Sequence, residues 1–156
     1  MKRTIAFALL TIAWMFLIFF YSHRPAEVSA QDSYEVGMMT GHVVIEDFEE
    51  WSFVDQLAFA MKVDHPIRKL AHFTEYFILA VLLCGAVDRK GRKLFLRWLI
   101  PWGIATFYAV TDEVHQYFIP GRSCQVGDVM IDSAGACVGV LVVMGIVHLL
   151  GRKRAC

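Results

Sequence analysis

Three short stretches of the chain concentrate side chains able to move protons or hold anions. Arg68, His72 and Glu75 stand at i, i+4 and i+7, on one face of a helix. Asp112, Glu113 and Gln116 follow, with Arg122 just past Pro120-Gly121, and then Asp128 and Asp132 at i+4. An imidazole beside a carboxylate can exchange a proton near neutral pH, so His72 reads as acid or base with Glu75 orienting it. Asp112 and Glu113 have the chemistry to activate a nucleophile or hold a divalent cation, and Arg122 to clamp an anionic head group. Carboxylates with one imidazole suit Mg²⁺, Mn²⁺ or Zn²⁺, but no spacing here is diagnostic of a metal, and the sequence names no cofactor.

Where these residues sit follows from hydropathy. The chain has 156 residues, 57% hydrophobic and 19% charged, and its 15 Lys+Arg balance 15 Asp+Glu. That excludes disorder and leaves no surplus of positive charge for a nucleic-acid partner. One domain, residues 1–156, is expected, too apolar for a small water-soluble core. Four runs can cross a bilayer: Thr4 to Tyr21, Leu70 to Val87, Leu94 to Thr111 with helix extending to 118, and Val129 to Gly151. The first, at 1.5 Å per residue, is about 27 Å long. An all-α, four-helix transmembrane bundle is therefore expected.

Basic residues collect at Lys2 and Arg3, at Arg89, Lys90, Arg92 and Lys93, and at Arg152, Lys153 and Arg154, against the acid Asp88. The segment from Ser22 to Lys69 carries nine acids and only Arg24, Lys62, Arg68 and Lys69 as bases. The positive-inside rule then places both termini in the cytoplasm of a multi-pass cell-membrane protein, with 22–69 and 112–128 outward. Val28-Ser29-Ala30 is similar to a signal-peptide cleavage site, but the preceding apolar run exceeds the usual 7–15 residues, which favours a retained span. Cys84, Cys124, Cys137 and Cys156 have neither metal-ligand nor disulfide-framework spacing.

The outer segment starts irregular, with Pro25 and several serines. Val44, Phe48, Trp51, Val54, Ala58 and Met61 then recur at steps of four and three, predicting an amphipathic helix over 42–61, acidic on its polar side, across the outer mouth of the bundle. Between Lys69 and Asp88 only eighteen residues are available, so a spanning helix takes His72 and Glu75 into the membrane. A carboxylate there must face the bundle and find a partner, and His72, one turn away, is the nearest candidate. Gly135 and Gly139 form a GxxxG, which serves close helix packing or a homo-oligomer. The polar ends of three helices thus meet either in a shared pocket or in a structural network where Arg68 or Arg122 pairs with carboxylates.

Lys69-Leu70-Ala71-His72-Phe73-Thr74-Glu75-Tyr76 resembles the K-x-x-H-F-x-E-Y motif of VanZ-like membrane proteins. Asp112-Glu113, Gln116, Phe118 and Pro120-Gly121-Arg122 resemble their D-E-x-x-Q-x-F-x-P-G-R. Asp128 with Gly135-Ala136 is similar to a D-x-x-x-N-x-x-G-A pattern, with Asp132 where Asn is usual, and Ser22 to an S-x-Q stretch, with Arg24 in place of Gln. The resemblance implies a bacterial envelope protein linked to tolerance of the glycopeptide teicoplanin. Two functions follow as expectations. One is an enzyme, a hydrolase or transferase acting on an outer-leaflet lipid or lipid-linked head group, with His72, Glu75, Asp112 and Glu113 catalytic and Arg68, Lys69, Tyr76, Gln116, Arg122, Asp128 and Asp132 binding substrate. The other is a non-catalytic protein that masks an envelope component or modulates a partner.

Overall fold

The computed structural model describes residues 2–87 and 93–152. The basic connection Asp88, Arg89, Lys90 and Arg92, and Lys153, Arg154 and Cys156, lie outside the described residues. Five helices follow in order: α1 Lys2–Ser22, α2 Ala26–Val44, α3 Phe53–Val87, α4 Leu94–Gln116 and α5 Val126–Arg152, with a 3₁₀ turn, Phe48–Glu50, between α2 and α3. No strand occurs among the described residues. α1, α3, α4 and α5 are long and apolar enough to cross a membrane. Leu9, Phe16, Phe20, Phe107 and Leu141 are exposed on them. So much apolar surface on helices that satisfy their own backbones is what a bilayer covers, and the protein is an all-α membrane protein.

α3 is the central helix, packed against α1, α2, α4 and α5. Ile18, Tyr76, Leu79, Ala105, Ala109, Ala136 and Val140 form the core at its membrane half. α5 lies closest, because Gly135 and Gly139 present bare backbone to α3: a Cβ would meet the Phe73 carbonyl oxygen at 2.2 Å on Gly135 and that of Phe77 at 2.5 Å on Gly139. The close approach that GxxxG permits is therefore taken up inside one chain, between α5 and α3.

The segment before α3 departs from expectation twice. Residues 26–44, read as irregular, are α2. Ser29, Ser33, Gly37 and Gly41 form a small-residue stripe at i+4, and Ser33, Gly37 and Gly41 are buried. A Cβ on Gly37 would come within 3.0 Å of Ala60 Cα, so packing on α3 overrides the poor helix propensity of Ser and Gly. The amphipathic helix over 42–61 is broken. Asp47 turns the chain at φ 63, and Ser52 restarts it by accepting the Asp55 backbone N–H at 3.2 Å. With the two halves out of phase, the expected inner face is lost: Phe48 is buried at 1%, but Val44, Trp51, Val54 and Met61 are exposed. α2 and the first half of α3 form a hairpin instead of a lid. The long α3 carries Pro66 within it and adds residues 53–69 ahead of the expected span.

Phe48 closes the tip of this hairpin, in ring contact with His42, Trp51 and Phe59. Phe48→Ala is expected to cost about 3 kcal/mol locally. Hydrogen exchange and proteolysis should rise at 41–60 while the core of the bundle stays protected; unchanged protection at the tip would refute this packing role.

Candidate functional site

All the polar clusters meet at one end of the bundle, where α1 and α4 end, α5 begins and α3 passes through. α4 ends at Gln116, and Ile119-Pro120-Gly121-Arg122 then forms a tight turn in which the Arg122 N–H reaches the Ile119 carbonyl at 3.1 Å. Proline at the second place and Gly121 at φ 75 at the third are what a type II turn requires. The Ala26 N–H donates to the Pro120 carbonyl at 3.2 Å, which ties the start of α2 to this turn. The turn thereby folds Arg122 back over the end of α4.

Beneath Arg122 lies a chain of hydrogen bonds. Ser22 Oγ and Gln116 Nε2 donate to Asp112 Oδ2 at 2.9 and 3.1 Å. Arg122 Nη1 donates to Gln116 Oε1 at 3.2 Å, and its Nε to the Arg24 carbonyl at 3.0 Å. Glu113 is held from the other side by the Gln125 backbone N–H at 2.9 Å. Asp112, Glu113 and Gln116 are all buried. Burial pushes the Arg122 guanidinium below its usual range and Arg68 adds to this, while Asp112, Glu113 and Glu75 oppose it; an arginine stays charged all the same. Both of its bonds go to neutral acceptors, and it forms no ion pair with a carboxylate among the described residues.

Two cavities flank this arginine. The first, about 230 Å³, is lined by Ser22, Arg24, Ser29, Asp32, Ser33, Arg68, His72, Glu75 and Arg122, with Tyr21, Val36, Ile67 and Ala71 completing the wall. The second, about 220 Å³, shares Arg68, His72 and Arg122 with it and adds Lys69, Gln116 and Asp128. Arg68 pairs with Asp64 at 2.5 Å, Arg24 with Asp32, and Lys69 more loosely with Asp128 at 3.7 Å.

A family model described as VanZ/LLP1 matches residues 7–149. The chain belongs to the VanZ/LLP1 family. No curated protein and no solved structure matches it.

The expected site residues of this VanZ/LLP1 protein divide into two groups. Arg68, Lys69, His72, Glu75, Gln116, Arg122 and Asp128 line a cavity. Asp112, Glu113, Asp132 and Tyr76 line neither cavity and are buried behind their walls. Tyr76, expected to touch substrate, is a core residue with no exposure, and its ring lies 6.2 Å from that of Tyr108. The carboxylate beside His72 also differs from expectation. His72 Nδ1 lies 3.8 Å from Asp132 Oδ1, across the α3–α5 contact that Gly135 draws close, while Glu75 lines the first cavity. Among the described residues, no group of three or more His, Cys, Asp and Glu is arranged to hold a metal ion.

The family motifs do not mark what α2 brings to the site. Ser29, Asp32 and Ser33 form one side of the first cavity, and the signal for them is the i+4 stripe of small residues that continues into Gly37 and Gly41. The structural network foreseen as an alternative coexists with the cavities. Asp64 and Asp32 anchor two of the arginines, whereas Arg122 is left to face both spaces.

Proposed function

We propose that this VanZ/LLP1 membrane protein takes the anionic head group of a membrane lipid or lipid-linked envelope intermediate into the first cavity. The observation that carries the reading is Arg122, a partly buried cation bonded only to neutral acceptors, on a cavity wall with His72 and Glu75. Asp112, Glu113 and Glu75 offset this charge from a distance without bonding it, and a head group supplies an anion in direct contact. The apolar lining residues Tyr21, Val36, Ile67 and Ala71 suit the junction between head group and lipid tail.

In this reading Arg68 and Arg122 hold the head group. His72 and Glu75 share the wall of the first cavity and serve proton exchange with the bound group. Asp132, 3.8 Å from His72 Nδ1 without a hydrogen bond, acts on the imidazole only through its charge. Asp112 and Glu113 act behind the wall, fixing Ser22, Gln116 and the start of α5. Hydrolysis or transfer at the head group is the chemistry that His72 and Glu75 can serve. Lys2, Arg3 and Lys93 lie at the opposite end of their helices from the site, which by the positive-inside rule turns the site outward and the termini into the cytoplasm. Modification of an outward-facing intermediate is also a route to glycopeptide tolerance.

Binding without turnover is the second reading. It is favoured by the retreat of Asp112 and Glu113 from both cavities, which leaves Glu75 and His72 as the chemistry-bearing pair. Glu75→Gln separates the two. The envelope lipids and lipid-linked intermediates of cells carrying wild type and Glu75→Gln at equal membrane abundance are compared. An enzyme is expected to show one head-group species changing severalfold. Identical profiles together with retained lipid binding would instead establish the binder, and loss of the protein from the membrane would mean that Glu75 is structural.

A further inference from the structure

The second cavity shares a wall with the first but differs in charge. His65, Arg68, Lys69, His72 and Arg122 face it, against the carboxylate of Asp128. The buried acids Asp112, Glu113 and Asp132 do not line it. Two of these cations have carboxylate partners, Arg68 with Asp64 at 2.5 Å and Lys69 loosely with Asp128 at 3.7 Å. The second distance is beyond hydrogen-bond reach, so the Lys69 ammonium keeps its donors for an anion, and Arg122 has no ion pair among the described residues. Ser123 and Gln125 complete the lining where α5 begins at Val126, so the positive end of that helix dipole adds to the same field.

We propose that this second cavity is an anion subsite that takes a phosphate group. It rests on the head-group reading above and extends it. A ligand in the first cavity that continues past Arg122 meets Lys69 and His65 next, so phosphate chemistry selects the substrate. A phosphate has the oxygens to bond a guanidinium, an ammonium and an imidazole together, which a zwitterionic head group offset by its own cation does not offer as strongly. The phosphate can belong to a lipid head group or be free in solution, and the two sources are separable.

The test uses the full-length protein in phosphatidylcholine nanodiscs, titrated with radiolabelled inorganic phosphate. Saturable binding is expected, weakened about tenfold by Lys69→Gln and further by adding His65→Ala. Lys62→Gln removes the same charge from an exposed position that lines neither cavity and is expected to change affinity by less than about twofold; thermal melts confirm that the variants are folded. Absence of saturable binding, or equal weakening by Lys62→Gln and Lys69→Gln, overturns the subsite, and the lipid comparison on Glu75→Gln would still stand by itself. Displacement of the phosphate in nanodiscs containing phosphatidylglycerol identifies a lipid head group as its source. Binding undiminished in those nanodiscs supports the subsite with free phosphate as its ligand and counts against the lipid reading.

Discussion

Gly135→Ala is expected to abolish accumulation of the folded protein. The added Cβ would lie 2.2 Å from the Phe73 carbonyl oxygen and 3.1 Å from its Cα, both backbone atoms of a different helix, so no side-chain rotation relieves the clash. α5 would have to move away from α3 along the contact that also carries Ala136, Val140 and Asp132, all buried. Overpacking typically costs about 1–3 kcal/mol, and a clash with fixed backbone belongs at or above the upper end of that range. Gly145 supplies the control, since nothing lies within 4 Å of its Cβ position, and Gly145→Ala should be neutral or mildly stabilising. Membrane-fraction abundance and thermal unfolding in detergent read both. Equal behaviour of the two variants would remove the basis for the α3–α5 packing, and with it the placement of Asp132 against His72.

Arg122→Gln is expected to cost the most at the site. A charge-assisted hydrogen bond contributes about 1.5–3 kcal/mol, so losing the cation shared by both cavities should weaken an anionic ligand on the order of 10- to 100-fold. Phosphatidylglycerol binding in nanodiscs measures it. The variant also loses the ties from Nε to the Arg24 carbonyl and from Nη1 to Gln116, so the melting temperature should fall modestly. Arg122→Lys discriminates charge from geometry. A lysine keeps the cation but cannot make both bonds with one planar fork, so it should recover part of the ligand affinity and little of the stability. Full affinity in Arg122→Gln would show that the cavities owe nothing to this arginine and would remove the observation on which the head-group reading stands.

Much of the architecture was legible because a membrane imposes a one-dimensional rule. A segment that crosses about 30 Å of hydrocarbon needs about 20 apolar residues, so spans can be read along the chain. The gathering of His72, Glu75, Asp112 and Asp132 at one end of their helices followed from where charged residues interrupt those spans. α2 was illegible for the opposite reason. Ser29, Ser33, Gly37 and Gly41 are poor helix formers alone, and become a packing surface only when Ala60 lies opposite them. The pattern from Val44 to Met61 misled because periodicity does not register a break, and Asp47 in the left-handed region resets the helical phase.

The sequence by itself determined that four helices can span, that ionisable groups lie near one end of them, and that two family motifs stand in the right order. Only the tertiary structure decided which of those groups face a cavity. Helix rotation is set by contacts between residues far apart in the chain, such as Ser22 Oγ with Asp112, ninety positions away, or Phe73 with Gly135. On helices as uniformly apolar as α5, no pattern of alternating polarity announces that rotation in advance. Glu75 and Asp112 therefore look equivalent in sequence, yet one lines an accessible cavity and the other is sealed beneath Gln116 and Arg122.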